Sequence, residues 1–214
     1  MAYLPSTDDL GTSFIGDVPV TPSVIAFHDE TGNPAPTNHF NTFSTHLISP
    51  TGTDLGALTT TVHDGHEVSV VWPSTSKFTI EGVYTLQFTF TKTAGEVVHT
   101  EPLHIVVQAQ SGWLSLEQAR AQWADAPLDD NFLYQILTSA KVQCIEYAPA
   151  LAANAVIPTN YLQAQVMQAR ALYQSVIANQ NDNVGIEGFA VRVFPLDFTI
   201  RALLRPKKAI GWMF

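Results

Sequence analysis

One cysteine, Cys144, in 214 residues leaves no partner for an intramolecular disulfide and too few thiolates for a Cys-based zinc site. Charged residues are scarce, 14% against 46% hydrophobic, which excludes a disordered acidic tail and calls for packed domains with weakly charged surfaces. Long apolar runs are also missing. The stretch Ala148–Ala153 is among the longest, far short of the ~18–20 residues of a membrane span. No basic-then-apolar leader is legible, so a soluble chain made inside the cell is expected. The phosphate-cradling patterns Gly-x-x-x-x-Gly-Lys and Gly-x-Gly-x-x-Gly are absent, as is a Gly-x-Ser-x-Gly elbow. An enzyme is therefore not expected, and no catalytic residue, metal ligand or cofactor is assigned.

What is present divides unevenly. Residues 1–110 hold two basic residues, Lys77 and Lys92, against eleven acidic ones, so the whole net charge of -9 lies there, together with all seven histidines. Residues 111–214 hold eight charges of each sign and are rich in Ala and Gln. At roughly 100–200 residues per domain, such a break reads as two small domains.

Through the first of these the sequence has the period of two that buries one face of a strand. Tyr84, Leu86, Phe88 and Phe90 alternate with Thr85, Gln87, Thr89 and Thr91. Further strands are predicted at Ser23–His28, Phe40–Ser49, Ala57–His63, Glu67–Trp72, Phe78–Ile80 and Leu103–Ala109, separated by turn chemistry at 29–34, 50–52, 64–65 and 93–95. Asp64-Gly65 has the composition of a two-residue type I′ hairpin turn. Seven closely spaced strands point to an Ig-like antiparallel β-sandwich over residues 18–110, preceded by an N-terminal arm, 1–17. In Glu81-Gly82-Val83-Tyr84, the tyrosine is placed where such sandwiches lock a corner.

At Ser111-Gly112-Trp113 the period changes to 3.6. Ser115-Leu116-Glu117-Gln118 is a capping box that opens a short helix ending near Trp123. Asp129 or Asp130 caps a second helix with Phe132, Leu133, Ile136, Leu137, Ala140, Cys144 and Ile145 on one face, stopped by Pro149. Thr159 caps a third, carrying Leu162, Val166, Ala169, Tyr173, Val176 and Ile177 and ending at the polar run 179–183. A closing strand, Phe189–Phe194, a last helix, Leu196–Leu204, and an extended tail after Pro206 complete the chain. The fold class is thus α+β in two domains: a sandwich, a small helical domain over 111–204, and a C-terminal tail, 205–214.

His63 and His66 would face each other across the predicted hairpin, yet two imidazoles fall short of the three or four ligands of a stable zinc site. At the other end, Arg192, Arg201, Arg205, Lys207 and Lys208 face a single acid, Asp197. Cations there complement a helix C-terminus at about 0.3–1 kcal/mol. Ile200, Leu203 and Leu204 point in several directions, more than so short a helix is expected to bury, and Trp212 and Phe214 at a chain end favour docking on another surface. A β-sandwich ligand-binding module, carbohydrate-binding through Trp72, Tyr84 and His66 and fused to a helical interaction domain, is the alternative reading.

Several strings resemble the head-to-tail adaptor (connector) proteins of long-tailed bacteriophages, particularly those of actinobacterial phages. They are Gly112-Trp113-Leu114-Ser115-Leu116-Glu117-Gln118-Ala119-Arg120 with Gln122–Pro127, Val142–Pro149, Gln163–Arg170, Phe194-Pro195-Leu196-Asp197-Phe198 and Ala202-Leu203-Leu204-Arg205-Pro206-Lys207. Gly16-Asp17-Val18-Pro19-Val20 and the Tyr84 strand are similar to the sandwich that such adaptors carry in front. Where that family has a Gly-Val-Pro turn after Arg-Pro-Lys, this chain has Ala209-Ile210-Gly211-Trp212. The resemblance implies a non-enzymatic virion protein that forms a homo-oligomeric ring, usually of about twelve copies, beneath the portal. The ring extends the DNA channel, letting genomic DNA pass without specific binding, and joins the portal to the next neck, stopper or tail-completion protein. It is assembled in the host cytoplasm, contacts no membrane, and leaves the sandwich at the periphery to touch the major capsid protein or neck proteins. By the same resemblance, Arg201, Leu204, Arg205, Lys207, Lys208, Ile210, Trp212 and Phe214 meet the portal. Asn181, Asp182, Asn183, Gly185 and Gly188 belong to a loop facing the channel or a neighbouring neck ring.

Overall fold

The computed structural model describes residues 3–6, 9–34, 40, 42–62, 65, 67–92, 95–180 and 196–206. It is mixed α+β, with nine strands and four helices among these residues, and the chain divides into compact units Met1–Gln110 and Ser111–Phe214.

In the first unit the strands are β1 (Tyr3–Pro5), β2 (Asp9–Phe14), β3 (Ser23–Asp29), β4 (Thr42–Ile48), β5 (Asp54–Val62), β6 (Glu67–Val71), β7 (Gly82–Thr91), β8 (Val97–His99) and β9 (Leu103–Gln108). They form one hydrogen-bonded path, β1-β3-β6-β5-β4-β7-β9-β2, with β8 on β7. Every pairing is antiparallel except that of β2 with β9. In β7 the alternation is realised: Tyr84, Leu86, Phe88 and Phe90 are all at most 1% exposed, and the residues between them are half-buried or exposed.

Four strand spacings separate β3 from β7 along this path, roughly 19 Å in a flat sheet. Phe27 on β3 nevertheless packs edge-on against Phe88 and Phe90 on β7, with ring centroids 5.2 and 5.1 Å away. The sheet is therefore curled, and β3 to β9 enclose a single core that includes Ile25, Leu47, Leu58, Val70 and Ile105. Between the neighbouring strands β4 and β5, half-buried Thr60 donates from its hydroxyl to the hydroxyl of buried Thr45, at 2.7 Å. Burial of Thr45 is tolerated because that hydroxyl has a partner.

Tyr84 locks the turn before β7. Its hydroxyl accepts from the backbone N–H of Thr79 (3.0 Å) and of Ile80 (3.3 Å). Gly82 is required at the mouth of the strand, since its φ is 141° and a Cβ would lie 2.6 Å from the ring of Pro50. At the β3 end, Asp29 holds the 29–34 turn by accepting from the N–H groups of Thr31 and Asn33 and from the Thr31 hydroxyl, and these bonds, the hydroxyl first, hold its carboxyl below the usual range.

Several expectations need correction. Within the expected N-terminal arm, 1–17, the described residues include two strands, since β1 pairs with β3 and β2 with β9. The short, mixed-polarity segments there lack clear alternation, and only the partner strands reveal them. Phe78–Ile80 is not a strand; Phe78 is a core residue held in the turn that Tyr84 ties. The short strand β8 is an addition to the expected set. The β5–β6 register pairs Val62 with Val68, whereas a two-residue turn at Asp64-Gly65 would pair Val62 with Glu67. His63, Asp64 and His66 themselves lie outside the described residues.

The second unit contains α1 (Leu116–Gln122), α2 (Asp130–Tyr147), α3 (Thr159–Gln180) and α4 (Phe198–Leu204). Both halves of the Ser115–Gln118 capping box are formed, and Asp129 is the N-cap of α2, accepting from Phe132 N–H. Helix α2 buries Leu133, Ile136, Leu137, Ala140 and Cys144, but Ile145 is 51% exposed. Helix α3 begins at Thr159 itself, on the carbonyl of Pro158, and continues through Asn179 and Gln180 into the run expected to be loop. Its buried face includes Tyr161, Ala164, Val166 and Ala169 and, beyond the expected stripe, Gln165 and Gln168. The predicted closing strand, 189–194, lies outside the described residues.

Replacing Tyr84 by Phe is expected to take the acceptor from the Thr79 and Ile80 N–H groups and cost about 0.5–1.5 kcal/mol. A lowered urea midpoint with unchanged slope checks this, and an unchanged midpoint would refute the lock.

Candidate docking surface of the helical unit

The C-terminal helix decides what this unit can present. Asp197 caps α4 by accepting from Thr199 N–H, and Leu196, Ile200 and Leu204 are buried with Cys144, Ala148, Tyr161 and Ala164. Leu203 packs half-buried against the same cluster. A seven-residue helix buries these residues because α2 and α3 both flank it, contrary to the expectation from its length alone. Leu204 is thus a core side chain, 1% exposed, and is not offered to a partner in this arrangement. Phe198 is instead the apolar residue that α4 exposes, at 77%.

Three bonds to backbone carbonyls brace this region, one closing the start of α4 on itself and two fastening it to α3 and α2. Arg201 Nε donates to Leu196 O at 2.9 Å, Asn160 Nδ2 to Leu203 O at 2.5 Å, and Arg205 Nε to Tyr147 O at 2.6 Å. The Arg205 guanidinium also lies 4.7 Å from the centroid of the Tyr147 ring, a cation–π contact. The exposed Arg201 and Arg205 are therefore anchored at the Nε edge. Lys207, Lys208, Ile210, Trp212 and Phe214, and the loop residues Asn181, Asp182, Asn183, Gly185 and Gly188, lie outside the described residues.

Two organising residues carry little signal in the sequence. Gln165 accepts from Leu114 N–H and donates to Leu137 O, both at 3.2 Å, tying the approach to α1, the middle of α2 and α3 through one buried amide. Its only signal is a glutamine interrupting an apolar stripe. Arg120 donates to the carbonyls of Pro127 and Leu128 and pairs with Asp130 at 2.6 Å, holding the α1–α2 loop.

A shallow apolar groove of about 340 Å³ is lined by Trp113, Ile145, Ala148, Pro149, Leu151 and Tyr161, among others. A second depression is bounded by Gln143, Glu146, Tyr147, Leu196 and Arg201. Elsewhere on the helical unit Leu128 is 92% exposed and Val142 47%.

Among the described residues no three His, Cys, Asp or Glu side chains cluster as a metal site. His46 Nδ1 is 2.9 Å from Asp54, whose carboxyl is held below its usual range by the Gly56 N–H first and His46 second. Trp72 is half-buried against Phe78 with its indole N–H donated to Ser23, and Tyr84 is fully buried. Tyr84 therefore has no free aromatic face for stacking on a sugar. No helix among the described residues is long and apolar enough to cross a membrane.

No family model matches the chain, and no curated protein matches it. Among solved structures, CopC from Methylosinus trichosporium is 12% identical at a TM-score of 0.31, over 47% of this chain and 86% of that one. A DUF4785 family protein from Legionella pneumophila is 14% identical at 0.29, over 49% of this chain and only 27% of its own length. Likeness at these scores carries no argument about this chain.

Burial of two groups has measurable consequences. Burial pushes the Cys144 thiol up to about 11. The folded state therefore favours the neutral thiol, an advantage complete below the ordinary thiol range and lost as pH rises toward that value. Iodoacetamide at pH 8 is expected to label the native chain at least ~10-fold more slowly than the urea-unfolded chain; equal rates would contradict the burial. Gln165→Leu is expected to lower unfolding free energy by about 1–3 kcal/mol, because Leu114 N–H loses its acceptor in a buried position; chemical denaturation checks this.

Proposed function

We propose that the chain is a structural virion protein, a head-to-tail adaptor that forms a homo-oligomeric ring under the portal of a long-tailed bacteriophage. The observation that carries this reading is the correspondence between the resembling strings and the helical unit. Gly112–Arg120 leads into α1, Val142–Pro149 ends α2, Gln163–Arg170 lies within α3, and the described parts of Phe194–Phe198 and Ala202–Lys207 fall at the two ends of α4. The clamp of Arg205 on Tyr147 supports the docking role, since it gives the tail a fixed point of departure. In this reading the tail beyond Pro206 meets the portal, with Arg201 and Arg205 at its root.

Ring contacts need weakly charged surfaces, and a unit with eight charges of each sign that exposes Leu128, Val142, Ile145 and Phe198 suits them. A chain of net charge -9 has no broad cationic surface to stall a duplex, which suits a channel through which DNA slides without specific binding. The curled sheet with its Tyr84 lock is in keeping with an Ig-like sandwich. Sandwich architecture by itself carries no function; contact with the capsid protein is the role assigned to it. The next neck protein would dock on the ring, and the assembled protein resides in the virion neck after assembly in the host cytoplasm.

Sedimentation with the portal ring of the same virus tests the proposal. The full chain is expected to co-sediment near one copy per portal subunit, and a folded chain lacking residues 207–214 to remain in the supernatant. Failure of the folded full-length chain to bind would overturn the adaptor role.

A further inference from the structure

The groove beside Tyr161 lies where the described chain ends. The loop from Ala148 to Pro158 contains no charged residue, and its Leu151 and Val156 are 37% and 92% exposed. With Trp113, Ile145, Ile157 and Tyr161 it forms an apolar surface open to solvent, which a chain free of partners covers when it can. Arg205 is bonded to the carbonyl of Tyr147, the residue before Ala148 in the groove wall. Leu203 is bonded to Asn160, the residue before Tyr161 in the same wall. The chain therefore leaves α4 at the edge of the groove.

Eight residues lie beyond Pro206, Lys207–Phe214, and half of them are large and apolar: Ile210, Trp212, Met213 and Phe214. Fully extended they reach roughly 26–29 Å, ample for a surface that begins beside their anchor. Lys207 and Lys208 come just after a point where α2 carries the exposed Glu146, so the charged part of the segment has a counter-charge at its root and the apolar part comes last.

We propose that this groove is the resting seat of the chain's own C-terminal segment, occupied chiefly by Trp212 and Phe214. A tether this short holds the segment at millimolar effective concentration, above that of a second copy in dilute solution, which favours the segment's own chain over another copy. The seat does not depend on the adaptor reading. Where that reading holds, the tail exchanges its own groove for the portal.

Hydrogen exchange of the full-length protein, without portal, tests the seat. In the variant Trp212→Ser/Phe214→Ser, amides between residues 150 and 161 are expected to exchange at least ten-fold faster, the β-strand amides unchanged, at every protein concentration. Unaltered exchange overturns the proposal, as does acceleration seen only at high concentration, which would assign the groove to a second copy. A second measurement reads the other side of the contact. Trp212 fluorescence, taken as the difference from Trp212→Phe, is expected to become several-fold more quenchable by acrylamide in Leu151→Asp, whose site is already partly exposed. Equal quenching in a folded Leu151→Asp chain refutes the seat. Because neither experiment contains a portal, loss of the adaptor reading and loss of the seat are separately visible.

Discussion

Strand β7 can bury Tyr84, Leu86, Phe88 and Phe90 on one face only if another layer covers that face, and this requirement organises the first unit. The cover comes from the far end of the same sheet, where Phe27 of β3 meets the rings of Phe88 and Phe90. Such edge-on contacts require the sheet to curl, and curling in turn demands tight corners. Gly82 supplies the backbone conformation at one of them, and the Tyr84 hydroxyl satisfies the amides left there without strand partners. A strand pattern, a glycine and a tyrosine that lie within nine residues are thus parts of one constraint.

The helical unit meets its constraint differently. Its core includes Ala119, Ala140, Ala148, Ala164 and Ala169, and polar side chains contribute cross-links. Gln165 satisfies one donor and one acceptor from separate elements, which makes its burial tolerable and its replacement costly. Arg120, Asn160, Arg201 and Arg205 all donate to carbonyls at loop or helix ends, where the backbone lacks intrahelical partners. The cationic C-terminal region is in this sense structural before it is functional: its two described arginines hold α4 in place, and the chain beyond Pro206 departs from a set position beside an apolar groove.

Periodicity makes the long elements legible. The alternation in β7, the capping box of α1 and the three- and four-residue spacing in α2 each have a local cause, burial of one face or satisfaction of end amides, and each appears where expected. The docking region is legible only in part. Arg201 and Arg205 stand out in the sequence as charges sharing a helix face, but their carbonyl partners belong to Leu196 and Tyr147, the second of them 58 residues away. Leu204 reads as partner-facing because a lone short helix cannot bury both of its apolar directions; between α2 and α3 it does.

Local composition, by itself, determined the two-part charge distribution, the change from strand to helix near residue 111, and the caps and most of the longer elements, because these depend on neighbours a few residues apart. Only the tertiary structure decided the rest. Tyr3–Pro5 and Asp9–Phe14 became strands through pairing with β3 and β9, and Val62 found Val68 rather than Glu67 across the β5–β6 turn. Gln165 became a buried cross-link, and the chain's exit was set against the groove. In each case the deciding partner is distant in sequence or offset in register, and no periodic pattern records it.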